Sequence, residues 1–179
     1  MTPQERRKLR LENDFKEMSN IKGSVIDWIV LRGVAPHVEA YELIVNIKTI
    51  IDPSPRYRNQ HNLVLELPED YPNTPPLVNM SSVPPPYHPN WYRNGNWCNG
   101  TWSLSEGLGH YVVRMIRTLQ FDLEITNPDS PANGDANRWF LSQINRGLFP
   151  CDQTALPDPT HSKFKIQRNV QKKFNIQNN

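Results

Sequence analysis

Apolar side chains recur with helical spacing from Thr2 to Ser19, where Leu11, Phe15 and Met18 share one face and Pro3 suits a first turn, so an amphipathic first helix is predicted. The pattern then changes to alternation. Val25–Leu31 is rich in β-branched residues, and in Tyr41–Ile51 the residues Tyr41, Leu43, Val45 and Ile47 alternate with Glu42, Ile44, Asn46 and Lys48. Asn62–Leu67 alternates again through Leu63, Leu65 and Leu67, and a short strand is predicted at Leu77–Val83. Short connections between such half-buried segments imply an antiparallel meander. Eight prolines between Pro68 and Pro89 then force an extended, rigid path. Helical spacing returns with Leu104, Leu108, Val112, Met115, Ile116 and Leu119, and Ser103 with Glu106 has the form of a capping box for its start. The turn-rich run Asn127-Pro128-Asp129-Ser130-Pro131 precedes a third helix, Ala132–Arg146. Beyond Leu148 the pattern dissolves into Pro150, Pro157, Pro159 and a polar basic run, which predicts a loosely attached or disordered tail.

The expectation is an α+β domain over residues 1–147, with an N-terminal helix, an antiparallel meander of about four strands, a central helix and a C-terminal helix, followed by a basic, proline-containing tail at 148–179. At 179 residues the chain can bury one sizeable core, and a hydrophobic share of 37% with 17 prolines fits a globular protein containing much rigid irregular chain. No apolar run approaches a membrane span and the charged N-terminus has no signal-peptide character, so a cytoplasmic protein with no membrane partner is expected. Its two cysteines, Cys98 and Cys151, would both remain thiols there. The net charge of +2 conceals basic ends. Arg6, Arg7, Lys8 and Arg10 face only Glu5 at one end, and five basic residues with no acid lie between 161 and 179 at the other.

The candidate chemistry lies in the middle of the chain. Tyr71-Pro72, the double proline Pro75-Pro76, Tyr87-His88-Pro89-Asn90, Cys98 ten residues beyond His88, and Trp102 follow one another in order. This series resembles the ubiquitin-conjugating enzyme family, over roughly residues 1–147. The resemblance implies a thioester carrier that accepts a ubiquitin-like protein from an activating enzyme on Cys98 and passes it to an amine, most often a lysine, of a target protein. Cysteine suits both halves of that task, since its thiolate attacks acyl carbon well and also leaves well. The neighbours Asn94-Gly95-Asn96-Trp97 and Asn99-Gly100 are polar and glycine-containing, which argues for an accessible thiol.

By the same resemblance Asn90 donates a hydrogen bond to the oxyanion formed during transfer, holds the adjacent loop, or does both. His88, with Pro89 and Tyr87, shapes the loop beneath the cysteine, Tyr87 either lining the groove or packing against the proline frame. Asp129 and Ser130 take the positions where relatives carry a lysine-orienting residue, with simple turn chemistry as their other reading. The basic cluster Arg6, Arg7, Lys8 and Arg10 takes the position of the activating-enzyme docking helix. Two departures bear on partners. Asn73 replaces the aromatic residue after the tyrosine-proline pair, and Leu104 replaces the later proline, so dependence on a RING-type ligase is in doubt. His88, Cys98, His110 and Cys151 lack the paired short spacings of a metal site, and there is no phosphate-binding glycine loop or papain-type cysteine signature. No metal, cofactor or nucleic-acid partner is therefore expected. The alternative is a non-catalytic module of the same fold that binds a ubiquitin-like protein.

Overall fold

The computed structural model describes residues 1–161. Helix α1 runs Pro3–Ile21 and begins at a full capping box, in which Glu5 N–H donates to Thr2 Oγ1 (3.2 Å) and Thr2 N–H donates to the Glu5 carboxylate (2.6 Å). Its buried face presents Leu11, Met18 and Ile21, with Asp14 among them. That carboxylate is fully occupied: it accepts from Tyr71 Oη (2.6 Å), Arg10 Nε (2.9 Å) and the backbone N–H of Leu108 (3.0 Å).

Strands β1 (Ile26–Val34), β2 (His37–Val45), β5 (His61–Glu66) and β6 (Leu77–Met80) form an antiparallel sheet in the order β1-β2-β5-β6. Register places Leu43 opposite Trp28 on one side and Leu63 on the other, so their side chains join Tyr41, Val45, Leu65, Val78 and Met80 in the main core. Helix α2 (Leu108–Leu119) contributes Tyr111, Val112, Met115, Ile116 and Leu119 to the same core. Helix α3 (Gly134–Gln143) follows, continued by a 3₁₀ turn at Ile144–Arg146.

The expected single segment Tyr41–Ile51 is two strands. β3 (Thr49–Asp52) pairs instead with β4 (Arg56–Arg58) in a separate hairpin. Past β2 the Asn46 amide still bonds Val25 O (2.8 Å), in register with the β1 pairing, but the Lys48 amide goes to the Asp152 carboxylate (2.7 Å), and the ladder stops there although Ile47 keeps the alternating burial. The expected capping box at Ser103 and Glu106 does not form either. Ser103 Oγ meets Ser105, Glu106 pairs with Arg114, and α2 starts later behind Gly107, which has no side chain to cap with. Two carboxylates of α1 serve instead: Asp14 takes the Leu108 N–H and Glu17 takes the Gly109 N–H (3.0 Å). Gly109 is required there, since a Cβ would lie 2.8 Å from that of Glu17 and 2.9 Å from that of Pro159.

Residues 148–161 are not loosely attached. They cross the body as a strap: Cys151 N–H donates to Gln120 O (2.8 Å), Gln120 Nε2 to Thr154 O (2.8 Å), and Asn20 Nδ2 to Pro159 O (2.7 Å). Leu156 packs on the main core, while Phe149 and Cys151 close a second cluster with Ile50, Phe121 and Phe140. The basic run from Lys163 onward lies outside the described residues.

Candidate active site

The proline-framed segment enters the site by fastening Tyr87 N–H to Ile50 O (2.9 Å). The next residue, His88, is wholly buried and stacks edge-on against Phe121 with ring centroids 4.4 Å apart. Phe121 follows the last turn of α2 with φ 57°, a left-handed conformation unusual for a bulky side chain. Burial of its ring among His88, Phe140 and Phe149 offsets that strain. His88 Nδ1 accepts the Asn90 N–H (2.9 Å), so the neutral ring carries its proton on Nε2, which faces Thr126 Oγ1 at 3.4 Å. The Thr126 hydroxyl in turn donates to Asp122 O (2.9 Å). Burial pushes the imidazole pKa down to about 3. A neutral, sealed ring cannot move protons at neutral pH, and His88 acts as a brace beneath the loop.

The two following residues join the remaining pieces. Pro89 O accepts the N–H groups of Ala132 (2.8 Å) and Asn133 (3.1 Å), and Asn133 caps α3 through Ala136 N–H (3.1 Å). Asn90 O accepts the Cys98 N–H (2.8 Å) and Asn90 Oδ1 accepts the Asn127 N–H (3.3 Å). The tripeptide thus ties the cysteine and the 127–133 loop to each other. Between Asn90 and Cys98 the chain makes a small hairpin in which Trp91 bridges Trp97, and this hairpin is seamed to β6 through Trp97 N–H to Val78 O (3.0 Å) and Met80 N–H to Gly95 O (2.8 Å). Gly95 has φ 90° and lies so near Met80 O that a Cβ would come within 2.8 Å.

Cys98 leaves the hairpin half-buried, on a groove of about 270 Å³ lined also by Asn90, Asn99, Asn127, Ser130 and Arg114. Cys98, Asn90 and Ser130 are therefore brought together. Asp129 is exposed and off the groove, its N–H closing a turn on Asn127 Oδ1 (3.1 Å), and Tyr87 packs edge-on against Trp139 (5.7 Å) instead of lining it. Arg114 was not foreseen. It lies far from Cys98 in sequence, on the polar stripe of α2, and only the fold brings its guanidinium to Asn99 O.

The family model of ubiquitin-conjugating enzymes matches residues 10–146. The chain belongs to the ubiquitin-conjugating enzyme family. It is similar to ubiquitin-conjugating enzyme E2 3 of Arabidopsis thaliana (38% identity over 78 residues, 44% of this chain and 51% of the relative) and to ubiquitin-conjugating enzyme E2 2 of Mycosarcoma maydis (32%, 72% of this chain and 65% of the relative). Ubiquitin-conjugating enzyme E2 2 of Candida glabrata is also 32% identical, over 78% of this chain and 77% of that protein. The chain thus spans about half the length of the first relative and just under two thirds of the second. S. cerevisiae Ubc12 shares the fold, with a TM-score of 0.53 and 24% identity over 75% of this chain and 71% of that one. Among the described residues no helix is long and apolar enough to cross a membrane.

On α1 the basic cluster is divided in a way its charge did not suggest. Arg7 is half-buried and donates to Pro68 O (2.8 Å), Tyr71 O (2.9 Å) and Glu39 (2.9 Å). Arg10 pairs with Asp14, donates to Leu104 O (2.7 Å), and lies over the rings of Tyr71 (5.3 Å) and Trp102 (5.8 Å). These two side chains join α1 to the proline frame and do not form a solvated docking face. Arg6 and Lys8 are exposed, and Arg6 lines a groove of about 500 Å³ with Asn73 and Leu104.

A pH dependence follows from the buried histidines. His61, also fully buried, accepts from Arg58 on Nδ1 (3.0 Å) and faces Ile47 O through Nε2 (2.9 Å); burial and then the Arg58 charge push its pKa down to about 4. The unfolded chain binds a proton at both His61 and His88 below about pH 6.5 whereas the native state does not, so stability is retained above that pH and lost as pH falls. The expected slope is about 1.4 kcal/mol per pH unit for each ring. Urea midpoints should fall steadily from about pH 6.5 to about pH 4.5, and midpoints constant over that window would contradict the neutral assignment.

Proposed function

We propose that this chain accepts a ubiquitin-like protein from an activating enzyme as a thioester on Cys98 and transfers it to an amine, chiefly a lysine, of a target protein. The observation that carries this reading is the half-buried Cys98 thiol on a groove shared with Asn90 and Ser130, hydrogen-bonded through its backbone to Asn90. In loading, the Cys98 thiolate attacks the carbonyl carbon of the activating enzyme's thioester, a new C–S bond forms, and the donor thiolate leaves. In transfer, the amine attacks that carbon, the Cys98 thiolate leaves, and the amine proton passes to solvent as the amide forms. Asn90 supplies the donor for the oxyanion in the tetrahedral intermediate. Ser130 lines the amine's approach. Asp129 has turn chemistry only.

The test is incubation with an activating enzyme, ATP and ubiquitin or a ubiquitin-like protein. A reductant-sensitive adduct that discharges on addition of lysine is expected; tight binding of the ubiquitin-like protein without any adduct would favour a non-catalytic module. We place the reaction in the cytoplasm, where the thiol stays reduced.

Arg6 and Lys8 are proposed as the activating-enzyme contact, because they are the exposed members of the α1 cluster. Reversing both to glutamate should slow loading several-fold at low salt, lose its effect as salt rises, and leave discharge of preloaded protein unchanged. Loading rates equal to wild type throughout a salt series would remove the docking role. The groove beside them carries Asn73 and Leu104 at the positions where a RING ligase would find its aromatic and proline contacts, so transfer without such a ligase is proposed.

A further inference from the structure

The connection after the candidate nucleophile is short. Asn99-Gly100-Thr101 alone separates Cys98 from Trp102, whose indole is fixed by Nε1 donating to Pro72 O (2.8 Å) and by edge contact with Tyr111 (5.3 Å). Within this span one side chain holds both neighbours of the cysteine. The Arg114 guanidinium lies against the Trp97 ring (5.2 Å) on the N-terminal side and donates through Nη1 to Asn99 O on the C-terminal side. Its remaining edge is matched two-point to Glu106, Nε to Oε1 at 2.7 Å and Nη2 to Oε2 at 2.8 Å. Side-chain exposure is 27% for Arg114 and 17% for Glu106, so the pair is largely withdrawn from water, where such bonds are stronger and a missing partner costs more.

We propose that Arg114, oriented by Glu106, is the positioning residue for Cys98: its planar fork holds the Asn99 carbonyl on one side of the thiol and packs against the Trp97 ring on the other, and so sets the direction from which the thioester is presented to the amine. The inference rests on the proposed carrier function of Cys98. Its chemistry is geometric. The Glu106 carboxylate neutralises the guanidinium, and what remains is a rigid three-point fixture between α2, the loop and the Trp97 ring. Lysine keeps the charge but presents one tetrahedral ammonium, which cannot meet a carboxylate in two places and a carbonyl in a third while facing an indole ring. The Cys98 N–H is already held by Asn90 O. With Arg114 in place, the residue after the thiol is held by its carbonyl and the residue before it is held by its ring.

The test uses the full chain with Arg114→Ala, Arg114→Lys, Glu106→Ala and the Arg114→Ala/Glu106→Ala double variant. The double variant leaves no orphaned charge and so serves if the single alanine variants unfold. Single-turnover discharge of the Cys98 thioester to free lysine should fall by about tenfold or more in all of them, with the lysine concentration for half-maximal rate unchanged. The double variant should be no slower than the slower single variant, since both residues belong to one fixture. Hydrogen exchange of the peptide spanning residues 97–100 should also quicken about tenfold or more in Arg114→Ala and Arg114→Lys, while peptides of the main sheet stay protected.

Wild-type discharge in Arg114→Lys would show that charge, and not the fork, matters, and would overturn the proposal. So would a loss that merely tracks the folded fraction, or unchanged exchange over 97–100. If the wild-type protein forms no thioester at all, the carrier function fails, yet the exchange measurement still decides whether Arg114 holds the loop.

Discussion

Replacing Cys98 with alanine should abolish the reductant-sensitive adduct entirely, while Cys151→Ala should form it at a rate near wild type. The two thiols differ in exposure and in surroundings. Cys151 is buried in the second core, its Sγ directed at Lys48 O (3.2 Å) and Leu119 O (3.6 Å), and burial, with Asp152 nearby, pushes its pKa up to about 12. Thiolate at that site is scarce at neutral pH by about five orders of magnitude. Cys98 opens onto the groove and has a partner for its backbone already in place. Cys98→Ser sharpens the test. A serine that loads forms an oxygen ester, which survives reductant but yields to alkali, and such an ester also leaves poorly when an amine attacks. The assignment fails if the adduct persists in Cys98→Ala, or if Cys151→Ala is the variant that loses it. The expected cost of Cys151→Ala is confined to stability, because it removes a buried sulfur from the cluster of Ile50, Phe121 and Phe140.

What could be read from sequence was what depends on local order. Tyr41, Leu43 and Val45 alternate because they line one face of a strand, and they are indeed wholly buried. The sheet, the three main helices and their succession followed from that kind of pattern. Features decided by distant partners were hidden. Ile47 continues the alternation of β2, yet the strand has already ended, since the next amide, that of Lys48, is claimed by Asp152, more than a hundred residues away in sequence. Glu106 stands where a capping glutamate should be, but Arg114 takes its carboxylate, and Asp14 and Glu17 from α1 cap the helix. The Arg6–Arg10 cluster is visible as charge alone, and charge says nothing about the carbonyls and rings that occupy Arg7 and Arg10. In the strap, Phe149, Cys151 and Leu156 bury apolar surface without any period, so no window of sequence marks them. At the candidate site the asymmetry is the same. Cys98, His88 and Asn90 lie close together in sequence and form one motif there; Thr126, Asn127 and Arg114 reach the candidate site only through tertiary structure.

Asn90→Asp separates the two roles that its position allows. The Asn127 N–H donates to this side chain, so the atom facing it must be Oδ1, and the NH₂ end is turned away from the 127–133 loop. An aspartate of the same shape keeps the acceptor and hence the brace on that loop. It removes the donor, however, and places a negative charge on the groove where the proposed oxyanion would form. Thermal stability should therefore stay near wild type and loading should proceed, whereas discharge to lysine should fall by about 10² or more. Asn90→Ala should lose the donor and the brace together, giving a comparable loss in discharge plus about 1 kcal/mol of stability from the abandoned Asn127 amide. The comparison of the two variants is decisive, since a purely structural Asn90 predicts that aspartate rescues what alanine destroys. Discharge by Asn90→Asp at the wild-type rate, measured in single turnover with free lysine, would eliminate the oxyanion role and leave Asn90 as a loop brace only.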